Sequence, residues 1–179
     1  MRFLASGENL RPEGAVPKSK NQVWVADITY LKVKGQWQYL SVVMDLYSRR
    51  VIGWSLDTKR ATELTRKTLM NAGRKRGSQP GLILHTDRGV ENRGSEYQKE
   101  LGRYGIQHSL SRAGKYTDNT HMESFFHSLK AELIRKTSFQ TMSHLKYALA
   151  RYINDFYNRK QLHSALGYQS LIEYERIAV

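Results

Sequence analysis

The 179-residue sequence contains no cysteine. That excludes disulfides and thiolate metal sites and leaves oxygen and nitrogen donors for any metal chemistry. No apolar run approaches the ~18 residues that a membrane span needs, and the N-terminus lacks the apolar core of a signal peptide. The expectation is therefore a soluble, intracellular chain. No glycine-rich phosphate loop precedes a helix, which argues against nucleotide triphosphate chemistry. The six histidines (85, 108, 121, 127, 144 and 163) show no zinc spacing. Negative charge is also in short supply: 16 Asp and Glu stand against 29 Lys and Arg, a net charge of +13. Such a field draws in polyanions and steers their approach. No basic amphipathic anchor helix stands out, so nucleic acid is the expected partner rather than a membrane surface.

The length favours one domain, large enough to bury a core without staples. Residues 1–22 read as a flexible, mildly basic lead, interrupted by Gly7, Pro12, Gly14 and Pro17. Residues 23–57 read as three strands in an antiparallel meander. The runs are Val23 to Val33, Trp37 to Tyr47 and Val51 to Leu56, with turns at Lys34-Gly35 and Ser48-Arg49-Arg50. Trp24, Trp37 and Trp54 are expected in the core. The period then changes to that of a helix over 60–77, with Leu64, Thr68, Leu69 and Ala72 on one face. Leu82-Ile83-Leu84 is a short buried strand. Ser95-Glu96-Tyr97-Gln98 has the pattern of a capping box opening a helix that Gly105 stops. Ile106 to Leu110 is a fifth strand. A helix from about Thr120 carries Met122, Phe125, Phe126, Leu129 and Leu133 on one stripe. Another spans roughly 142–157 with Leu145, Leu149, Tyr152, Ile153 and Phe156. This order predicts an α/β fold: a mixed five-stranded sheet, its first three strands antiparallel, flanked by helices. Residues 23–179 form that core, ending in a helical tail.

Three carboxylates stand out. Asp27 lies inside the first strand, where aspartate is disfavoured and so needs a reason. Asp87 follows the fourth strand in His85-Thr86-Asp87-Arg88-Gly89, and Glu123 lies in the first turn of the later helix. Sites in α/β sheets gather at the carboxyl ends of strands. Were the first and fourth strands neighbours, the two aspartates would face each other there. Phosphodiester transfer is served by paired Mg2+ ions about 4 Å apart, which activate a nucleophile and neutralise the leaving oxygen. Mg2+ prefers hard oxygen ligands and keeps several waters, so a few carboxylates suffice. Duller roles remain open at this level. Asp87 also suits a turn, Glu123 could cap its own helix in Thr120-His121-Met122-Glu123, and Glu91, Glu96 and Asp118 are nearby competitors. Glu123, His127 and Lys130 share one helix face, which directs Lys130 either to a phosphate or to solvent. Arg88, Arg112 and Lys115 sit in loops near the acids and are expected to contact phosphates.

The blocks VWVADITY, YLSVVMDLYSRRVIGW, LILHTDRG, IQHSLSRAGKYTDNTHMESFFHSLKAE and YINDFYNRKQLHSALGY resemble the catalytic core of bacterial insertion-sequence transposases. These belong to the DDE superfamily that includes retroviral integrases. The resemblance covers about 21–174 and implies an RNase H-like fold, with Asp27, Asp87 and Glu123 as the metal-binding acids. It further implies Mg2+, replaceable by Mn2+, cutting of double-stranded transposon ends and joining of their 3′ hydroxyls to target DNA. A homo-oligomer on DNA and a nucleoid-associated, cytoplasmic location follow from the same likeness. Two departures stand out. Such proteins usually carry a helix-turn-helix segment before the core, where this sequence has about twenty irregular residues, so an upstream partner or segment is expected. The tail motif, often Ser followed by Pro, reads Ser170-Leu171 here. The alternatives are a standalone nuclease of the same fold and a catalytically silent DNA-binding remnant.

Overall fold

A computed structural model describes residues 10, 16–77, 80–87, 89–111 and 119–177. The chain opens with β1 (Val23–Val33), β2 (Gln36–Asp45) and β3 (Val51–Asp57), each antiparallel to the one before. Val33 pairs with Gln36, so the β1–β2 turn has only Lys34 and Gly35 at its centre, both with positive φ (49° and 75°). Two positive φ values match the turn whose twist suits a right-handed hairpin, and glycine takes one of them without cost.

Helix α1 (Thr62–Arg76) then crosses the sheet. Strand β4 (Ile83–Thr86) pairs parallel with β1. Helix α2 (Ser95–Tyr104) leads to β5 (Gln107–Leu110), parallel to β4. The sheet order is β3-β2-β1-β4-β5, so the first and fourth strands are neighbours, as the site argument required. Helices α3 (Thr120–Leu129), α4 (Met142–Ala150) and α5 (Leu171–Ile177) follow. α3 and α4 continue without a break into π-helical turns over 130–134 and 151–157.

Because side chains alternate along a strand, the central strands feed two cores. Val25, Leu31, Val42 and Met44 pack with Met122, Phe125 and Leu129 of α3 and with Leu145 and Leu149 of α4. Trp24, Ala26 and Val43 pack on the other face with Leu69 and Ala72 of α1 and with Tyr97 and Leu101 of α2. Helices therefore cover both faces of the sheet. The α1 backbone lies close over Gly53 in β3, where a Cβ would stand 2.6 Å from the Thr68 carbonyl oxygen and 2.7 Å from the Ala72 nitrogen.

Four local expectations are corrected. Trp24 is fully buried, but Trp37 is 48 % exposed, because it lies on the part of the hairpin that runs beyond β4. Phe156 is 41 % exposed and leaves the buried stripe. Ser95 caps nothing: Gly94 precedes α2 without a side-chain cap, and Gln98 donates instead to the Asn92 carbonyl at 3.2 Å. The end of the expected loose lead is tied down, with the Asn21 N–H donating to Asp45 Oδ2 at 2.8 Å.

Candidate active site

The β1–β4 register positions the two aspartates. Val25 pairs with His85. Asp27 and Asp87 each follow by two residues, Asp27 within β1 and Asp87 just past the end of β4. Neighbouring strands are roughly 4.8 Å apart, and β4 has ended at Thr86. The Asp87 carboxylate thus lies at the strand's mouth, its side chain 49 % exposed.

Asp27 is held on both oxygens, Asp87 on one. Asp27 Oδ1 accepts from the Ile28 N–H at 2.7 Å, and Oδ2 accepts from Asn119 Nδ2 at 3.0 Å. Asp87 Oδ1 accepts from the Gly89 N–H at 3.1 Å and from Asn92 Nδ2 at 2.9 Å. Its Oδ2 accepts no hydrogen bond from a described residue and faces Arg60 Nη2 at 4.0 Å. Burial is the main force that raises the Asp27 pKa from 3.8 to about 6. The negative charges of Asp87 and Glu123 add to it, while the Ile28 N–H and the Arg60 charge oppose it. Asp27 thus feels the charges of both Asp87 and Glu123.

Glu123 lies in the first turn of α3, exposed, with no hydrogen bond to any described residue. It is not engaged as a cap. Asn119, the residue at the N-cap, makes no side-chain cap either; its amide serves Asp27 instead. Among the described residues no three His, Asp or Glu side chains converge tightly enough to grip an ion as they stand. The donor set nevertheless suits a hard divalent cation. Among the described residues, it offers an Asp87 oxygen and a Glu123 carboxylate that accept no hydrogen bond, and the buried Asn119 Oδ1, which has no partner.

Lys130, seven residues after Glu123, turns its ammonium over the Tyr30 ring, 4.9 Å from the centroid. Tyr30 is 58 % exposed and makes an edge-on contact with Trp37 at 5.1 Å. Arg88, Arg112 and Lys115 lie outside the described residues. Glu96 pairs with Lys99 in α2, away from the acids, and Asp118 also lies outside the described residues. Glu91 is 5 % exposed and binds Arg60. Arg60 is the neighbour that sequence reasoning missed. It lies between elements, and its partners are 27 and 31 residues away, beyond the reach of any periodic pattern.

Behind Asp87 lies a hydrogen-bonded scaffold. Thr86 Oγ1 donates to the Asp87 carbonyl at 2.9 Å and meets His108 Nε2 at 2.9 Å, while Gln98 Nε2 meets His108 Nδ1 at 3.1 Å. Since the Gln98 amide donates, His108 Nδ1 accepts, which leaves the proton on Nε2. Burial, aided by the His85 charge, lowers the His108 pKa to about 4 and keeps the ring neutral.

The sequence matches the integrase core domain family over residues 17–116, and a second integrase core domain description matches 104–170. The transposase for insertion sequence element IS904 of Lactococcus lactis is 40 % identical over 156 residues, which are 87 % of this chain and 62 % of that protein. The transposase InsF for insertion sequence IS3A of Escherichia coli is 38 % identical over 172 residues, 96 % of this chain and 60 % of that one. The chain thus spans about three-fifths of the length of these relatives. Among solved structures, the HTLV-2 integrase catalytic core domain in complex with magnesium superimposes with a TM-score of 0.65 at 19 % identity. That match covers 90 % of this chain and 99 % of that one. A chain of the simian T-cell lymphotropic virus intasome gives a TM-score of 0.75 at 20 % identity, covering 94 % of this chain and 61 % of that one. The fold is therefore the RNase H-like arrangement of an integrase catalytic core. With a family match across more than half its length and the sheet order described above, this chain belongs to the integrase core domain family.

Proposed function

We propose that the chain is the catalytic core of a transposase, cutting the DNA ends of an insertion sequence and joining them to target DNA. The observation that supports this reading best is the β1–β4 register, in which Val25 pairs with His85, two residues before Asp27 and Asp87. The transposase relatives and the net charge of +13 support the choice of DNA as substrate.

In this reading Asp27, Asp87 and Glu123 hold divalent ions, Mg2+ or Mn2+. When bound, such ions lower the pKa of a bound water or hydroxyl and neutralise charge on the phosphate. The protein's own work is placement. The Gly89 N–H and Asn92 fix one oxygen of Asp87, and no described residue hydrogen-bonds the other. The Ile28 N–H and Asn119 orient Asp27. Glu123 completes the set from α3, and Lys130 on the same helical face contacts a phosphate, as do Arg88, Arg112 and Lys115. Water serves as nucleophile for the cut, and the freed 3′ hydroxyl serves for the joining. No serine, tyrosine or cysteine intermediate is required. Pairing two DNA ends calls for more than one copy of the chain, and end recognition calls for a helix-turn-helix segment or partner upstream. The protein would work on the bacterial nucleoid, in the cytoplasm.

A gel assay tests this. A labelled duplex of the transposon end, taken from the flanking genome, is incubated with the protein and Mg2+ or Mn2+. Cut and joined products are expected, and Glu123→Ala should lower both by roughly a thousandfold, the scale of losing an organised charge from such a site. Cut but unjoined DNA would favour a standalone nuclease of this fold. Binding with no product, even with the upstream segment supplied in trans, would favour a silent DNA-binding remnant.

A further inference from the structure

Arg60 lies in the short segment between β3 and α1. Its Nε donates to Glu91 Oε1 at 2.7 Å, and Nη2 forms an ion pair with the same oxygen at 2.5 Å. The anchor is firm. Glu91 is 5 % exposed, and its carbonyl accepts from Thr65 Oγ1 of α1 at 2.9 Å. On its other side, Arg60 Nη2 is 4.0 Å from Asp87 Oδ2, close enough for charge attraction and too far for a hydrogen bond. Gly89 allows the two carboxylates to crowd in this way. A Cβ there would stand 2.7 Å from Glu91 Oε1 and 3.0 Å from Asp87 Oδ1. Nη1 donates to no described residue, and the side chain is 47 % exposed.

A guanidinium gripped along one edge keeps its remaining N–H groups aimed in a fixed direction. That is the arrangement in which arginine binds phosphate oxygens at low entropic cost. An arginine recruited only to neutralise Glu91 has no need to lie half-open beside a second carboxylate at the mouth of a strand. We propose that Arg60 is a DNA-phosphate contact of this active site, set in place by Glu91 and engaging the strand bound at Asp27 and Asp87. The inference rests on the DNA reading above. The competing account makes Arg60 a counter-ion for Asp87 that never touches DNA.

The two accounts separate in the absence of metal. Binding of a fluorescein-labelled transposon-end duplex to the full chain is followed by anisotropy in EDTA across a salt series. Arg60→Gln should weaken binding several-fold and reduce the slope of log affinity against log salt by about 1, the value for one lost phosphate contact. Mn2+ binding without DNA, read by the signal of free Mn2+ in electron paramagnetic resonance, should be unchanged or tighter, since a cation beside Asp87 has gone. Arg60→Lys keeps a charge for Glu91 and guards against misfolding of the glutamine variant. It should keep the slope yet bind less tightly, having lost the fork. An unchanged slope and affinity in Arg60→Gln, or an unchanged affinity in Arg60→Lys, overturns the proposal and leaves the counter-ion. If the wild-type chain has no affinity for the duplex, both this proposal and the DNA reading fall. If only the variants match wild type, Arg60 alone does.

Discussion

Asp27 shows at the scale of one residue what burying a carboxylate costs. Burial, with Asp87 and Glu123 alongside, holds its pKa near 6 against an ordinary 3.8. Between these values the folded chain binds more protons than the unfolded one, so this group makes stability fall as pH rises from about 4 through 6. Above that window an ionised, partly buried carboxylate burdens the fold by on the order of 1–3 kcal/mol. Asp27→Asn should therefore melt higher than wild type at pH 8 in EDTA, by several degrees, and the gap should close at pH 5. Adding Mn2+ should raise the wild-type melting temperature and leave the variant's in place, since only a ligand that binds the folded state stabilises it. Strand cutting by the variant should disappear. A variant no more stable than wild type at pH 8 would contradict burial as the source of the raised pKa.

Among the secondary-structure elements, what was legible in the sequence is what nearest neighbours encode. The Lys34-Gly35 turn, the shift to helical period after residue 60 and the acid inside a strand all carry their cause within a few residues. The hidden features depend on where strands end in space. Trp37 looks like core by alternation, but β4 pairs with β1 only as far as Val25 and leaves the hairpin tip without cover. Ser95 has the chemistry of a cap, but the chain enters α2 through Gly94. Arg60 is assigned by Glu91, which folding alone brings close. Gly53 sits between these cases, a glycine inside a β-rich run whose reason is the α1 backbone lying over it. Gly53→Ala would drive a methyl to 2.6 Å from the Thr68 carbonyl oxygen and 2.7 Å from the Ala72 nitrogen. Neither atom can swing aside as a side chain would. The substitution should cost about 2–4 kcal/mol in urea unfolding, at the upper end of overpacking. A cost under about 0.5 kcal/mol would mean that α1 rides freely on the sheet.

At the scale of the whole molecule, the C-terminal helix is fastened by one buried carboxylate. Glu175 of α5 accepts from Ser48 Oγ at 2.7 Å and Arg50 Nη1 at 2.7 Å, both in the β2–β3 turn, and from Arg76 at the end of α1. Burial alone would raise its pKa. The hydrogen bonds from Arg76, Ser48 and Arg50 outweigh that and hold the group below its ordinary 4.5. A depressed carboxylate contributes stability above its unfolded pKa and loses it as pH falls through the folded one, so the clamp should be complete at neutral pH and fail on acidification. Glu175→Gln leaves Arg76, 9 % exposed, facing an amide. Breaking one partner of a buried pair costs about 3–5 kcal/mol. Urea unfolding at pH 7 should show that loss, limited proteolysis should cut first near α5, and the difference from wild type should shrink below pH 4.5. Replacing Arg76 by Met as well should recover part of it, because no unpaired charge then remains at that position. This clamp lies at the end of the sheet where β1 begins: Asp45, just before the Ser48 turn, pairs with Trp24, while Asp27 pairs with Val42. Strand cutting per folded molecule should therefore stay within about twofold of wild type at a temperature where Glu175→Gln is still native. A larger fall in activity, with folding intact, would mean that the tail governs the acids across the sheet.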